Sequence, residues 1–169
     1  HIGNFREIIS VDLIVRALKR YNKNVRFIYS WDDYDVFRKI PKNMPEQEML
    51  ETYLRKPIIK TPAPFKTESS YARHNEVEVE KVLPRVGIQP EFIYQAEKYM
   101  NSDYAEGQKT ALKHKSDIMA ILNQHRKTPL DDSWWPISVF CNNCDMDTTE
   151  IQSWDGDYKI AYNCSSCKH

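Results

Sequence analysis

The fold is decided by the stretch VRFIYSWDDYD, residues 25–35, where an alternating segment runs directly into an acidic turn. Val25, Phe27, Tyr29 and Trp31 fall on one face of the predicted strand. In open parallel α/β sheets, ligands bind beyond the carboxyl ends of the strands. The acidic turn is therefore the first candidate for a functional site.

A helix is predicted ahead of this strand, from about Asn4 to Tyr21. Apolar residues recur at helical spacing between Phe5 and Leu18, which is typical of an amphipathic helix. The helix would lead into the strand at Val25, so that its first turn and the acidic turn lie on the same side of the predicted sheet.

The start of this helix is a candidate phosphate site. Asn4 is followed three residues later by Glu7, the spacing of a capping box. Gly3 allows the backbone a close approach, and a helix N-terminus offers unpaired N–H groups to an anion. His1 would then lie beside that anion. The alternative interpretation is an ordinary capped helix that follows a histidine.

The rest of the chain alternates between helical and extended patterns. His114 and His125 lie in a long helical pattern and are interpreted as surface residues rather than metal ligands. Three short strands are predicted near the end of the chain, with Asp155-Gly156 as a hairpin turn. The predicted elements are helices at residues 46–54, 70–82 and 101–127, and strands at 88–94, 137–140, 148–154 and 158–162.

Composition excludes several classes of protein. The 169 residues carry 24 basic and 24 acidic side chains, so net charge gives no indication of nucleic-acid binding. No apolar run approaches the ~18 residues that a membrane-spanning helix needs. These features predict a cytoplasmic protein with no membrane partner, and they leave its oligomeric state open.

All four cysteines lie near the end of the chain, as Cys141-x2-Cys144 and Cys164-x2-Cys167. Two such pairs separated by a hairpin are typical of a four-thiolate ribbon, and tetrahedral Zn(II) is the expected ion. Four thiolates leave no open coordination position for water, which predicts a structural role. A redox dithiol pair and an iron site are the alternatives. His169 could also replace Cys167 as a ligand.

Two long blocks resemble class I lysyl-tRNA synthetases of the archaeal type. The first, HIGNFRE at residues 1–7, is similar to the family's form of the class I H-x-G-H signature, with Asn4 in the last place. The second, WDDYDVFRKIP at residues 31–41, is similar to its acidic block. ESSYA at residues 68–72, Asn123 and the WWP run at 134–136 also resemble the family.

The resemblance implies an α/β fold: a partial Rossmann-type class I catalytic domain with a helical insertion at residues 1–135, and a zinc-ribbon insertion at residues 136–169. It implies activation of L-lysine with ATP and Mg(II), followed by transfer to tRNA(Lys). The implied roles of individual residues follow. His1 and Asn4 are catalytic; His1, Gly3 and Asn4 bind ATP; Asp32 and Asp33 bind lysine; Cys141, Cys144, Cys164 and Cys167 bind zinc.

Departures from the family pattern define the alternatives. No K-M-S-K-S-like segment occurs, and no strand precedes His1, so the chain is expected to be a fragment that is inactive in isolation. A zinc-ribbon module that binds nucleic acid or protein without catalysis is the first alternative. A synthetase-like paralogue that acts on another substrate is the second.

Overall fold

The computed structural model describes residues 2–169, and only the backbone of residues 2–4. Strands β1 (Ile28–Trp31) and β2 (Glu91–Tyr94) pair in parallel, with Ile28 opposite Glu91 and Trp31 opposite Tyr94. The parallel pairing confirms the kind of sheet that residues 25–35 predict, although both strands are shorter than predicted. Strands of a parallel pair need a long crossover, and here it contains two helices. They are α2 (Gln47–Glu51) and α3 (Tyr71–Val82).

Helix α1 (Ile2–Arg20) packs on this sheet and supplies much of the core. Ile8 and Val15 are buried against Phe27, Leu83 and Ile88. The helix begins before the predicted start at Asn4, a difference of two residues that is common at helix ends. Half of its predicted apolar stripe is exposed: Val11, Ile14 and Leu18 are 43%, 60% and 38% accessible.

Helix α3 begins as the sequence predicts. The Ser70 side chain accepts a hydrogen bond from the Arg73 backbone N–H at 3.1 Å, which satisfies one of the free donors of the first turn. The buried positions Ala72, Glu76 and Leu83 follow helical spacing. One of these three core positions therefore carries an ionisable side chain.

The prediction of one long helix at residues 101–127 is wrong. The structure has two shorter helices in this range, α5 (Ala105–Lys113) and α6 (Lys115–Asn123), and a separate helix just before it, α4 (Gln95–Met100). His114 separates α5 from α6 with φ −100° and ψ 21°, outside the helical region. A break at a residue other than glycine or proline leaves no mark in the hydrophobic pattern.

The C-terminal segment forms an antiparallel hairpin of β3 (Thr149–Trp154) and β4 (Ile160–Cys164). The strand predicted at residues 137–140 is absent, because these residues bond to side chains instead of to a strand. The Thr149 hydroxyl donates to the Val139 carbonyl oxygen, and Phe140 packs edge-on against Tyr34 at 5.4 Å between ring centroids. Among residues 2–169, no helix has the length and apolar character needed to cross a membrane.

Candidate functional site

A pocket of about 930 Å³ lies between α1, β1 and α3, and it extends along β1 to the acidic turn at the carboxyl end of this strand. We call it the β1 pocket. Its walls are partly aromatic and apolar, and acidic side chains project from three of its sides. The apolar wall includes Phe5, Tyr29, Trp31, Tyr71, Ala72 and Val79, and the acidic residues are Glu7, Asp32, Asp33, Glu76 and Glu78.

Asp32 and Asp33 have different surroundings although they are adjacent. Asp32 is exposed at the mouth of the β1 pocket and also lines a second pocket on the side of the cysteine hairpin. Asp33 is only 3% exposed, and its Oδ1 accepts a hydrogen bond from the Ala96 backbone N–H at 2.7 Å. Asp33 therefore holds the start of α4 against the end of β1.

Burial raises the pKa of the Asp33 carboxyl above its ordinary value. Hydrogen bonds from the backbone N–H groups of Ala96, Asp33 and Gln95 oppose this rise, and the nearby Glu97 adds to it. The direction means that the charged form of Asp33 lacks full compensation. A cation entering the pocket would supply it.

Asp35 has an ordinary structural role at the same turn. Both of its oxygens accept hydrogen bonds from the Arg38 guanidinium, at 3.0 and 3.1 Å, and Oδ1 also accepts from the Val36 backbone N–H. Asp35 therefore caps its own turn and binds a basic residue that follows it.

A partly buried ionic cluster lies on α3, and one of its members, Glu76, lines the pocket. Arg73 donates to Glu76 Oε2 at 2.8 Å and to both oxygens of Glu80, at 3.0 and 2.7 Å. The Tyr94 hydroxyl donates to Glu80 at 2.9 Å. Glu76 is 3% exposed, and within the described residues its Oε1 has no hydrogen-bond partner. The sequence analysis missed Glu76, although a glutamate at a core position of a helical stripe was a usable signal.

The three N-terminal site residues cannot be compared with the sequence prediction. His1 lies outside the described residues. For Gly3 and Asn4 only the backbone, which is part of α1, is described. Phe5 and Glu7, in the next turn of α1, line the β1 pocket together with Asp32. The N-terminal turns of α1 and the acidic turn thus border one cavity. This agrees with the prediction that both lie on the same side of the sheet.

The four cysteines converge at one point between the knuckle at 141–144 and the end of β4. The sulfur atoms all lie within 4.8 Å of one another, with Sγ–Sγ distances of 3.6 Å for Cys141–Cys167 and 3.7 Å for Cys144–Cys164. A tetrahedron with Zn–S bonds of about 2.3 Å has edges of about 3.8 Å, so the donor set fits Zn(II). In the part of the chain that the structure describes, His169 is not a member of this group.

Backbone N–H groups prepare the sulfur atoms for a cation. The N–H of Cys167 is the main cause that lowers the pKa of the Cys164 thiol to about 6. The Met146 N–H favours the Cys144 thiolate too, but burial and the three neighbouring cysteines raise the pKa of that thiol to about 12. Four adjacent thiols cannot all ionise without a cation between them, whereas a metal ion stabilises all four thiolates.

The cysteine knuckle is tied to the turn beyond β1 through one loop. Arg55 Nε lies 2.7 Å from Asp147 Oδ1, and the Asp147 N–H donates to the Arg55 carbonyl oxygen. Arg55 N–H in turn donates to the Phe37 carbonyl oxygen, and Phe37 N–H donates to that of Lys56. The cysteine group thus supports the segment that follows the acidic turn.

Both histidines of the helical region lie on the surface, as predicted. His114 and His125 are exposed, and His114 Nδ1 lies 3.0 Å from the exposed Asp117 carboxylate. Neither belongs to a group of convergent metal-binding side chains among residues 2–169.

The paired parallel strands, the acidic turn at a strand end and the four-cysteine hairpin agree with a class I aminoacyl-tRNA synthetase domain. The family described as tRNA synthetases class I (K) matches residues 1–169. The chain belongs to this family.

Curated relatives agree with this assignment. The chain is 57% identical over 164 residues to a lysine–tRNA ligase of Borrelia garinii subsp. bavariensis, covering 97% of this chain and 32% of the relative. It is 52% identical to the lysine–tRNA ligase of Treponema pallidum, covering 100% and 32%. An archaeal lysine–tRNA ligase, from Thermococcus kodakarensis, is 39% identical, covering 96% and 31%. The chain spans about a third of the length of these relatives.

Proposed function

We propose that the protein containing this chain activates L-lysine with ATP and transfers it to tRNA(Lys) in the cytoplasm. The observation that carries the proposal is the acidic β1 pocket, which lies at the strand end in a chain of the class I (K) family. A buried or half-buried carboxylate without a counter-charge is costly, so such a pocket favours a cationic ligand. Lysine is the amino acid of the curated relatives.

The proposed fold is a partial Rossmann-type catalytic domain, in which β1, α3 and β2 form one parallel crossover unit. The helices α4 to α6 form its helical insertion, and residues 136–169 form a zinc-ribbon insertion. We expect the isolated 169-residue chain to be inactive, because it spans only 32% of the length of the Borrelia garinii relative.

In the proposed first step, a carboxylate oxygen of lysine attacks the α-phosphorus of ATP. The new O–P bond forms as the bond to the bridging oxygen breaks, and pyrophosphate leaves with its Mg²⁺. Negative charge builds on the phosphate oxygens, so hydrogen-bond donors at fixed positions lower the barrier. We assign this role to His1 and Asn4, with Gly3 allowing the phosphates close to the backbone.

In the second step, a hydroxyl of the terminal ribose of tRNA(Lys) attacks the lysyl carbonyl carbon, and AMP leaves. Asp32, at the mouth of the pocket, binds an amino group of lysine during both steps. Asp33 adds negative charge to the same pocket, while its carboxylate accepts the hydrogen bond from the N–H of Ala96 in α4. Zinc bound by Cys141, Cys144, Cys164 and Cys167 has a structural role, because four thiolates fill its coordination sphere.

The test is ATP–pyrophosphate exchange by the full-length protein with tRNA present, using wild type and Asp32→Asn. Wild type should show lysine-dependent exchange. Asp32→Asn should raise KM for lysine by ~10- to 150-fold, because a hydrogen bond to a charged group contributes about 1.5–3 kcal/mol. KM for ATP should change by less than about threefold, since Asp32 has no role at the phosphates.

Asp35→Asn is the matched control, because Asp35 belongs to the same turn and its carboxylate is already bonded to Arg38. Its KM for lysine should stay within about threefold of wild type. Exchange supported by glutamate in place of lysine would contradict the proposal and favour the paralogue. Absence of exchange with any amino acid would favour a binding module without catalysis.

A further inference from the structure

The carboxylates around Glu76 in the β1 pocket carry more negative charge than the one guanidinium that binds them can neutralise. Two carboxylates, those of Glu76 and Glu80, share one guanidinium, that of Arg73, and the Asp33 carboxylate is near enough to raise the pKa of Glu76. Glu80 uses both oxygens on Arg73. Glu76 uses only Oε2, and its Oε1 has no partner among the described residues although the side chain is 4% exposed. An acceptor left free in this way is costly unless a ligand satisfies it.

The electrostatic environment of Glu76 agrees with a missing cation. Burial raises the pKa of the Glu76 carboxyl, and the neighbouring Asp33 and Glu80 raise it further, against the effect of Arg73. Asp33, which lines the same pocket, also has a raised pKa because of burial. A positive charge between the two would stabilise both carboxylates.

The walls of the pocket indicate which cation fits. Tyr29, Trp31 and Tyr71 line the same pocket as Glu76, and Ala72 and Val79 add to its apolar lining. Ca²⁺ and Mg²⁺ need a shell of six or more oxygen ligands, which aromatic walls do not supply. An ammonium group on an alkyl stem fits, because the stem packs on apolar atoms and the ammonium interacts with both carboxylates and aromatic faces.

We infer that Glu76, with Asp33 beside it, binds the side-chain ammonium group of lysine, while Asp32 at the mouth binds the α-amino group. This inference rests on the lysine specificity proposed above. The unpartnered Oε1 of Glu76 accepts from the ammonium, and Arg73 holds the Glu76 side chain in place through Oε2. Glu76 is thereby the residue that distinguishes lysine from amino acids with uncharged chains of the same length.

The test compares L-lysine with L-norleucine, which has the same stem without the ammonium group. In full-length protein, Glu76→Gln should raise KM for lysine in ATP–pyrophosphate exchange by ~10- to 150-fold, the range for a lost charged hydrogen bond. The inhibition constant of norleucine and KM for ATP should each change by less than about threefold. The preference for lysine over norleucine should therefore fall by the same factor as the lysine KM rises.

Glu80→Gln is the matched control. Glu80 lies one turn further along α3 and binds the same Arg73, but it has no free oxygen toward the pocket. Its constants for both amino acids should stay within about threefold of wild type. If Glu76→Gln and Glu80→Gln raised the KM for lysine and the inhibition constant of norleucine by equal factors, the inference would be overturned. Glu76 would then be only a structural partner of Arg73.

Glu76→Asp keeps the test decisive if Glu76→Gln does not fold. This substitution retains the carboxylate on a side chain that is shorter by one methylene. The KM for lysine should therefore rise, while the inhibition constant of norleucine stays unchanged. An unchanged lysine-to-norleucine preference would overturn the inference. Failure of the proposed function has a different signature, because wild type itself would then show no lysine-dependent exchange, and the ammonium assignment would fall with it.

Discussion

Removing the metal from the four-cysteine group should unfold residues 137–169 and leave the helices of the remaining chain intact. Within this segment only Cys141 and Cys164 are fully buried, so the ligands themselves are its core. A module of about 30 residues cannot bury enough apolar area to fold alone. Structural zinc contributes ~10–16 kcal/mol of apparent binding free energy in small zinc modules, which makes the metal the main source of stability.

Hydrogen exchange with mass spectrometry measures this directly. After chelation, amides of β3 and β4 should lose protection and the fluorescence of Trp154 should shift toward that of an exposed indole. Protection in α1 and α3 should persist, and zinc added back should restore the hairpin. Unchanged protection and fluorescence in protein shown to be free of metal would contradict a structural role for the ion.

His1→Ala should lower the rate of lysyl-adenylate formation by ~10²- to 10³-fold, the usual loss when one donor to transition-state charge is removed. The affinity for lysine should change by less than about threefold, because the proposed contacts of His1 are to the phosphates of ATP. The rate is measured by ATP–pyrophosphate exchange at saturating substrates, and lysine affinity by calorimetry in the absence of ATP.

His114→Ala is the control for this substitution, because His114 is exposed and its Nδ1 lies 3.0 Å from the exposed Asp117 carboxylate. It should leave the exchange rate and the lysine affinity unchanged. A loss of lysine affinity in His1→Ala as large as the loss of rate would contradict a role at the phosphates. An unchanged exchange rate would do the same.

Features specified by neighbouring residues could be predicted from the sequence. The helix predicted at residues 70–82 is α3, and Ser70 caps it, because a serine before an apolar periodic segment acts within one turn. The cysteine group also follows from local spacing, since each x2 knuckle brings two sulfur atoms together. The parallel pairing of β1 and β2 follows from an alternation of strands and helices along the chain.

Features set by tertiary contacts could not be predicted. The different surroundings of Asp32 and Asp33 depend on the Ala96 N–H, at the start of a helix that the sequence pattern does not reveal. Phe140 lies in an irregular segment because it packs on Tyr34, far away in the chain. Glu76 was the exception, because a charge in the apolar stripe between Ala72 and Leu83 already indicated an unusual core position.

Lysine recognition by the β1 pocket is the central claim, and the amino acid attached to tRNA tests it most directly. The full-length protein should be incubated with ATP, tRNA and all twenty amino acids, and the ester at the tRNA 3′ end identified by mass spectrometry. We predict that lysine is attached to tRNA(Lys). At limiting lysine, Glu76→Gln should slow this charging and Glu80→Gln should not. Attachment of a different amino acid, or charging in Glu76→Gln equal to wild type at limiting lysine, would contradict the central claim.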